Sequence, residues 1–208
     1  MRQFTQLHGR AVVLPVPNVD TDQIIPARYL KATTKTGLGA GLFAGWRYRA
    51  DGSPDPAFLL NRPEAEGAEV LVAGDNFGCG SSREHAVWAL LDQGFRAVLA
   101  PRFADIFRNN AAKNGLLTVE LDRDTWQEMV QRLEAQPDAP VSIDLERERL
   151  GFAGGPEVSF SLDPFARHCL LTGLDPLAYL LAQEAQLDAY EAAHPPRVDT
   201  LAAEGEAR

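Results

Sequence analysis

Short continuous apolar runs alternate with stretches of helical period between residues 69 and 119. Glu69-Val70-Leu71-Val72-Ala73-Gly74 is apolar along most of its length, as in a strand covered on both faces. A glycine-rich stretch follows. Arg83 to Gln93 then places Ala86, Val87, Leu90 and Leu91 on one helical face, with Gly94 as a stop signal. Arg96 to Ala100 predicts a second strand, Phe103 to Lys113 a second helix ended by Asn114-Gly115, and Leu116 to Val119 a third strand. Strands joined through helices run parallel, so this segment predicts a three-stranded parallel βαβαβ core.

The flanking patterns are different. Leu7 to Leu14 reads as a strand stopped by Pro15 and Pro17, followed by the turn-rich Asn18-Val19-Asp20-Thr21-Asp22 and a short helix-like Ala27 to Lys31. Residues 32–63 show no sustained period, and so long an irregular stretch is usually functional or mobile. Its aromatics, Phe43, Trp46, Tyr48 and Phe58, are expected to pin parts of it to a surface, its own or a partner's. Beyond the core, Asp124-Thr125 predicts a helix start before the stripe Trp126, Met129, Val130 and Leu133. Alternating segments at Val141 to Leu145, Arg149 to Phe152 and Val158 to Phe160 predict antiparallel strands. Two helical stretches, Asp163 to Thr172 and Asp175 to about Ala193, complete the pattern. The expectation is one α/β domain over residues 1–193, with a mobile region at 32–63 and a flexible tail at 194–208.

Composition narrows the functional classes. The chain has 208 residues and a net charge of −9, which argues against nucleic acid as a partner. The acidity is uneven: residues 1–120 carry 13 basic and 12 acidic side chains, and residues 121–208 carry 7 and 17. An acidic solvated surface is the simplest account. No apolar run is long enough to span a membrane, and the N-terminus lacks the apolar core of a secretory signal, so the expected address is the cytoplasm. Cys79 and Cys169 stand far apart, with no zinc or disulfide spacing. They are too few for an iron–sulfur cluster held by this chain alone.

The candidate chemistry lies in Asn76-Phe77-Gly78-Cys79-Gly80-Ser81-Ser82-Arg83. A strand, a glycine-rich turn and a helix N-terminus together form an anion cradle, because unpaired N–H groups and the positive end of the helix dipole face it. Gly78 and Gly80 permit close approach or positive φ, the serines offer hydroxyls, and the Arg83 fork suits a carboxylate. As a dinucleotide loop it reads G-x-G-x-x-R, lacking the third glycine. The next strand ends Leu99-Ala100-Pro101-Arg102 with no acid for a ribose. As a hydrolase elbow it lacks G-x-S-x-G, and its nearest histidine, His85, is on the same helix. One of the two serines is expected to cap the helix.

The loop together with Glu84-His85-Ala86 resembles the active-site loop of the swivelling domain of the aconitase superfamily. So do Phe103-Ala104-Asp105-Ile106-Phe107-Arg108-Asn109-Asn110 and Lys113-Asn114-Gly115-Leu116-Leu117 downstream. Upstream, Asn18 to Pro26 and Tyr29-Leu30-Lys31 resemble the free-standing form of that domain, as in small subunits of the isopropylmalate isomerase type. The resemblance implies a swivelling β/β/α domain over roughly residues 1–190. It implies a hydro-lyase that interconverts 2- and 3-isopropylmalate through isopropylmaleate in leucine biosynthesis. The partner it implies is a large subunit carrying a [4Fe-4S] cluster, in a heterodimer or heterotetramer, and the small ligand is a dicarboxylate.

Of the site residues, the resemblance makes Ser81 the base and Arg83 both carboxylate clamp and electrostatic partner. Ser82 and Gly80 join in substrate binding, with capping as the competing role for Ser82. Asp22 either lies near the substrate or caps a turn. Leu30 is the expected contact for the isopropyl methyls, and Ile25, where aconitase has serine, suits an apolar substrate. Cys79 is expected to be a replaceable small residue, and His8, His85 and His168 to be structural. Two alternatives stay open: a hydro-lyase subunit for citramalate, dimethylmalate or homoaconitate, and a non-catalytic dicarboxylate-binding module.

Overall fold

The computed structural model describes residues 1–152 and 154–194. The chain divides into two compact units, Met1–Asp175 and Pro176–Arg208. In the first unit, β1 (Gln6–Leu14) leads through α1 (Thr21–Ile24) and α2 (Ala44–Arg47) to β2 (Val70–Ala73). Next come α3 (Glu84–Gln93), β3 (Ala97–Ala100), α4 (Asp105–Asn114) and β4 (Leu117–Glu120). The unit continues with α5 (Arg123–Ala135), β5 (Pro140–Asp144), β6 (Arg149–Phe152), β7 (Val158–Ser159) and α6 (Pro164–Thr172).

The strands form one mixed sheet in the order β4-β3-β2-β1-β5-β6-β7. The parallel part has four strands, one more than the apolar runs predicted, because the second half of β1 pairs with β2 (Ala11 opposite Val70). Its first half pairs antiparallel with β5 (Gln6 opposite Asp144). A nine-residue strand is long enough to pair with β2 on one side along its second half and with β5 on the other along its first, and so it joins the two halves of the sheet.

Strand alternation sends side chains to two cores. Val12, Leu14, Leu71, Ala73, Val98 and Ala100 face one side, where they pack with Ala86, Val87 and Leu90 of α3 and Phe107 and Ala111 of α4. Ala11, Val70, Val72, Ala97 and Leu99 face the other, under Met129 and Leu133 of α5 and beside Val141, Ile143 and Leu150. Helices α3 and α4 end on Gly94 and Gly115, both left-handed, as their stop signals predicted.

Several boundaries differ from the sequence reading. Helix α3 begins at Glu84, with Arg83 as its extended N-cap and no side-chain cap, so neither serine caps it. Helix α5 begins at Arg123: the Asp122 carboxylate, not Asp124, accepts from the Thr125 N–H (2.9 Å) and the Thr125 hydroxyl (2.6 Å). Residues 32–63 hold short 3-10 turns and α2. Phe43 stacks on Trp46 (5.8 Å between centroids) and meets Phe58 (6.0 Å), which pins the segment to the chain's own core.

The second unit, described to His194, contains α7 (Pro176–Leu181) and α8 (Glu184–Ala193) where one helix was expected. The Gln183 N–H bonds to the Leu180 carbonyl, a tightened turn between them, and the residue types there do not explain the break. The expected tail beyond His194 lies outside the described residues.

Candidate active site

The loop after β2 is fixed from both sides by backbone bonds. On one side, Asn18 donates to the Asp75 carbonyl (2.8 Å), Gly78 to that of Val19 (2.8 Å) and Thr21 to that of Cys79 (2.9 Å). On the other, Phe77 donates to the Arg102 carbonyl (3.1 Å) and Ala104 to that of Phe77 (3.0 Å). The loop therefore runs as a short ribbon between the segments that leave β1 and β3, at the carboxyl ends of the parallel strands. In open α/β sheets this is where ligands bind. A hollow lined by Leu60, Arg62, Glu66, Gln93 and Phe95 lies instead near the start of β2 and the end of α3.

Two glycines are needed there for space. A Cβ on Gly74 would strike the Val16 carbonyl, and one on Gly78, at φ +76°, would strike the Phe107 ring. Phe107 makes an edge contact with Phe77 (5.3 Å) and stacks on Phe103 (6.2 Å), so it cannot withdraw cheaply. Gly80, at φ +86°, turns the chain outward over Asp20 toward the serines.

Ser81 and Ser82 are exposed, and neither hydroxyl bonds to a described residue. The Ser81 backbone is held: its carbonyl accepts from the buried Thr21 hydroxyl at 2.8 Å. Arg83 follows, its side chain only 17% exposed, and pairs with the Asp22 carboxylate. The first-turn N–H groups of α3 lie just beyond the serines, at the positive end of the helix dipole. The Cys79 thiol is pushed up by burial and by the charge of Asp20, and its S–H points to the Asn18 carbonyl (3.4 Å). It stays a protonated thiol, as befits a packing residue.

The structure thus brings Asp22, Gly80, Ser81, Ser82 and Arg83 together. Asp22 does not cap the turn. That role falls to Asp20, which forms a capping box with Gln23 (2.8 and 2.9 Å). The spacing Asp20-x-x-Gln23 carried that signal. Leu30 is half-buried at the end of the turn Ala27–Tyr29, in the strap formed by residues 26–43. Ile25 is not exposed at the loop: it is fully buried in the core and packs where Gly41 has no side chain. An apolar residue at that position fills the core beneath the strap. Thr21 was missed, since a buried hydroxyl bonded to a carbonyl sixty residues away has no local signature.

Among the described residues, no group of three or more His, Cys, Asp or Glu converges to hold a metal ion. Cys79 lies in the loop and Cys169 is buried in α6. The donors present among the described residues do not fit an iron–sulfur cluster.

The ribbon-held loop at the strand ends, a helix N-terminus and an arginine–aspartate pair together form a cradle of a kind that suits a carboxylate, on an α/β domain. Residues 1–124 match the family model of the aconitase C-terminal domain, and the chain belongs to that family. More particularly, it is 57% identical over 202 residues to the 3-isopropylmalate dehydratase small subunit of Roseiflexus castenholzii, covering 97% of this chain and 99% of that one. The subunit of the same name from Chloroflexus aurantiacus is 56% identical over 96% of this chain and all of its own. A crystal structure of 3-isopropylmalate dehydratase from Methanocaldococcus jannaschii superposes with a TM-score of 0.66 at 30% identity, covering 89% of this chain and 99% of that one.

Proposed function

We propose that the chain is the small subunit of a 3-isopropylmalate dehydratase, working with a large subunit to interconvert 2- and 3-isopropylmalate. The observation that carries this reading is the juxtaposition of the exposed Ser81 with Arg83, itself clamped by Asp22, at the N-terminus of α3. The similarity to small subunits along nearly the whole chain supports the choice of substrate.

In the forward direction a proton leaves the carbon beside one carboxylate and hydroxide leaves the neighbouring carbon. This gives isopropylmaleate and water, and readdition in the opposite sense gives the isomer. Ser81 takes the proton. A serine can do so only if its alkoxide is stabilised, and the first-turn N–H groups of α3 with the Arg83 guanidinium supply that field. Arg83 presents its fork to a substrate carboxylate while Asp22 fixes its direction. Ser82 and the Gly80 backbone hydrogen-bond to the substrate, and Leu30 meets the isopropyl group. A [4Fe-4S] cluster held by the large subunit would supply Lewis acidity.

In this reading residues 1–193 act as the swivelling domain, residues 32–63 move to admit substrate, and the complex works in the cytoplasm. No described helix is long and apolar enough to cross a membrane. The test is co-expression with a cluster-bearing large subunit and an anaerobic assay of isopropylmaleate hydration. Hydration by the wild-type complex and its loss in Ser81→Ala are expected. Full activity in Ser81→Ala overturns the base assignment, and activity of this chain alone overturns the two-subunit reading.

A further inference from the structure

The strap that carries Leu30 is tied to the first turn of α3 by side chains that the proposed chemistry does not use. His85, two residues beyond Arg83, places Nε2 3.0 Å from the Ala32 carbonyl. A carbonyl only accepts, so this nitrogen carries the proton. The ring leans on Trp88 one turn further along (4.6 Å between centroids).

The second tie runs through Asn114, the last residue of α4. Its Oδ1 accepts from the Trp88 indole N–H (3.0 Å) and from the Lys35 ammonium (2.8 Å). Its Nδ2 donates to Glu84 Oε1 (2.6 Å) and to the Asn110 carbonyl (2.9 Å). All four hydrogen-bonding positions of the amide are filled, and a flipped amide would set its N–H groups against two donors. Lys35 also lies over the Trp88 ring at 5.4 Å. Asn114 thus joins a cation on the strap to an anion in the first turn of α3.

We infer that His85 and Asn114 are positioning residues: they hold residues 30–35 beside Arg83, and so set how tightly the substrate's apolar end is gripped. This rests on the proposed isopropylmalate reaction for its substrate, but the tether itself is a property of this chain. Neither residue touches the reacting atoms. Releasing the strap leaves Ser81 and Arg83 in place, because these are held by Thr21 and Asp22. The loss therefore falls on substrate affinity and spares the proton transfer.

The strap offers its own readout, since Lys31 is exposed and Lys31 and Lys35 are trypsin sites. Loss of one such bond shifts a local opening equilibrium by roughly 2- to 12-fold, and cleavage follows the open population when reclosing is fast. His85→Phe keeps the ring and loses the donor, His85→Gln keeps a donor, and Asn114→Leu removes the hub. Two measurements are made: trypsin cleavage after Lys31 and Lys35 in the full chain, and KM and kcat of the complex with its large subunit.

His85→Phe and Asn114→Leu are expected to raise cleavage at these sites and KM about 3- to 10-fold with kcat within about twofold, and His85→Gln to recover most of both. Unchanged cleavage overturns the tether. Faster cleavage with an unchanged KM overturns the positioning role while the proposed reaction stands. If the wild-type complex does not act on isopropylmaleate, that reaction falls, and cleavage alone decides the tether. Should Asn114→Leu fail to fold, the His85 pair decides.

Discussion

The loop at residues 74–83 and the strap at 26–43 meet at the start of α3, yet they are held in opposite ways. The loop is fixed by its backbone: ladder bonds to residues 18–21 and 102–104, with glycines where neighbours leave no room for a Cβ. Its serine side chains are left outside, while Arg83 is held against Asp22. The strap's backbone bonds are mostly local turns, and it is fixed to the rest of the chain by side chains, through buried Leu38, Leu42 and Phe43, the Arg47 bonds to Gly39 and Gln93, and the His85 and Asn114 contacts. A backbone-fixed loop can present reactive groups without using them for its own stability. A side-chain-fixed strap can be retuned by single substitutions, as a specificity element should be.

Substitutions can break this contrast. Ser81→Ala should lower activity of the complex by about 10²- to 10⁴-fold with the thermal midpoint unchanged, because the hydroxyl supports no fold contact. Phe43→Ala in the strap should do the reverse. It should cost about 3–5 kcal/mol in urea unfolding, while the fraction still folded keeps its kcat. Arg83→Lys keeps the charge but loses the fork shared between Asp22 and substrate. It should lower kcat/KM by roughly 10- to 150-fold. Gly78→Ala tests whether the loop needs its close approach: a destabilisation of about 1–3 kcal/mol is expected, with activity falling alongside because the serines move with the backbone.

Asp122→Ala lies in neither region and should have the smallest effect, read as a shift in thermal midpoint. The Thr125 hydroxyl, then the Thr125 N–H, holds the Asp122 carboxyl below its usual range. A depressed carboxylate stabilises the fold above its unfolded value of about 3.9, and that stabilisation is lost as pH falls through the lower folded value. The gap between wild type and Asp122→Ala should thus be full at pH 7 and close in acid.

The same contrast explains what could be read without coordinates. β2, α3, β3, α4 and β4 were legible because each has a continuous apolar run or a helical stripe bounded by glycine, all local signals. The motif also put Ser81 and Arg83 at the entry to α3, where they lie. The place of β1 beside both β2 and β5 was not, since pairing depends on residues up to 138 positions apart, Gln6 and Asp144 among them. Nor were the ties of Thr21 to Ser81, Arg83 to Asp22 and Lys35 to Asn114, which join residues 60, 61 and 79 positions apart. Ile25 was misread for a related reason. An apolar side chain looks the same in the sequence whether it meets a substrate or a core.

Asn114 has a further consequence, for the covalent lifetime of the chain. It precedes Gly115, and an asparagine before glycine is the pair whose side chain most readily closes on the next backbone nitrogen to a succinimide, with loss of ammonia. In the folded chain the amide is held at all four positions, and the Gly115 N–H is turned to the Ala112 carbonyl (3.3 Å). Ring closure needs both groups released. Deamidation is therefore slowed by the same bonds that clamp the strap, and each excursion that frees Asn114 risks leaving an acid beside Glu84. A chain changed in this way would still accept from Lys35 but would lose its two N–H donations, to Glu84 and to the Asn110 carbonyl, so its age would be written in the tie between the strap and α3.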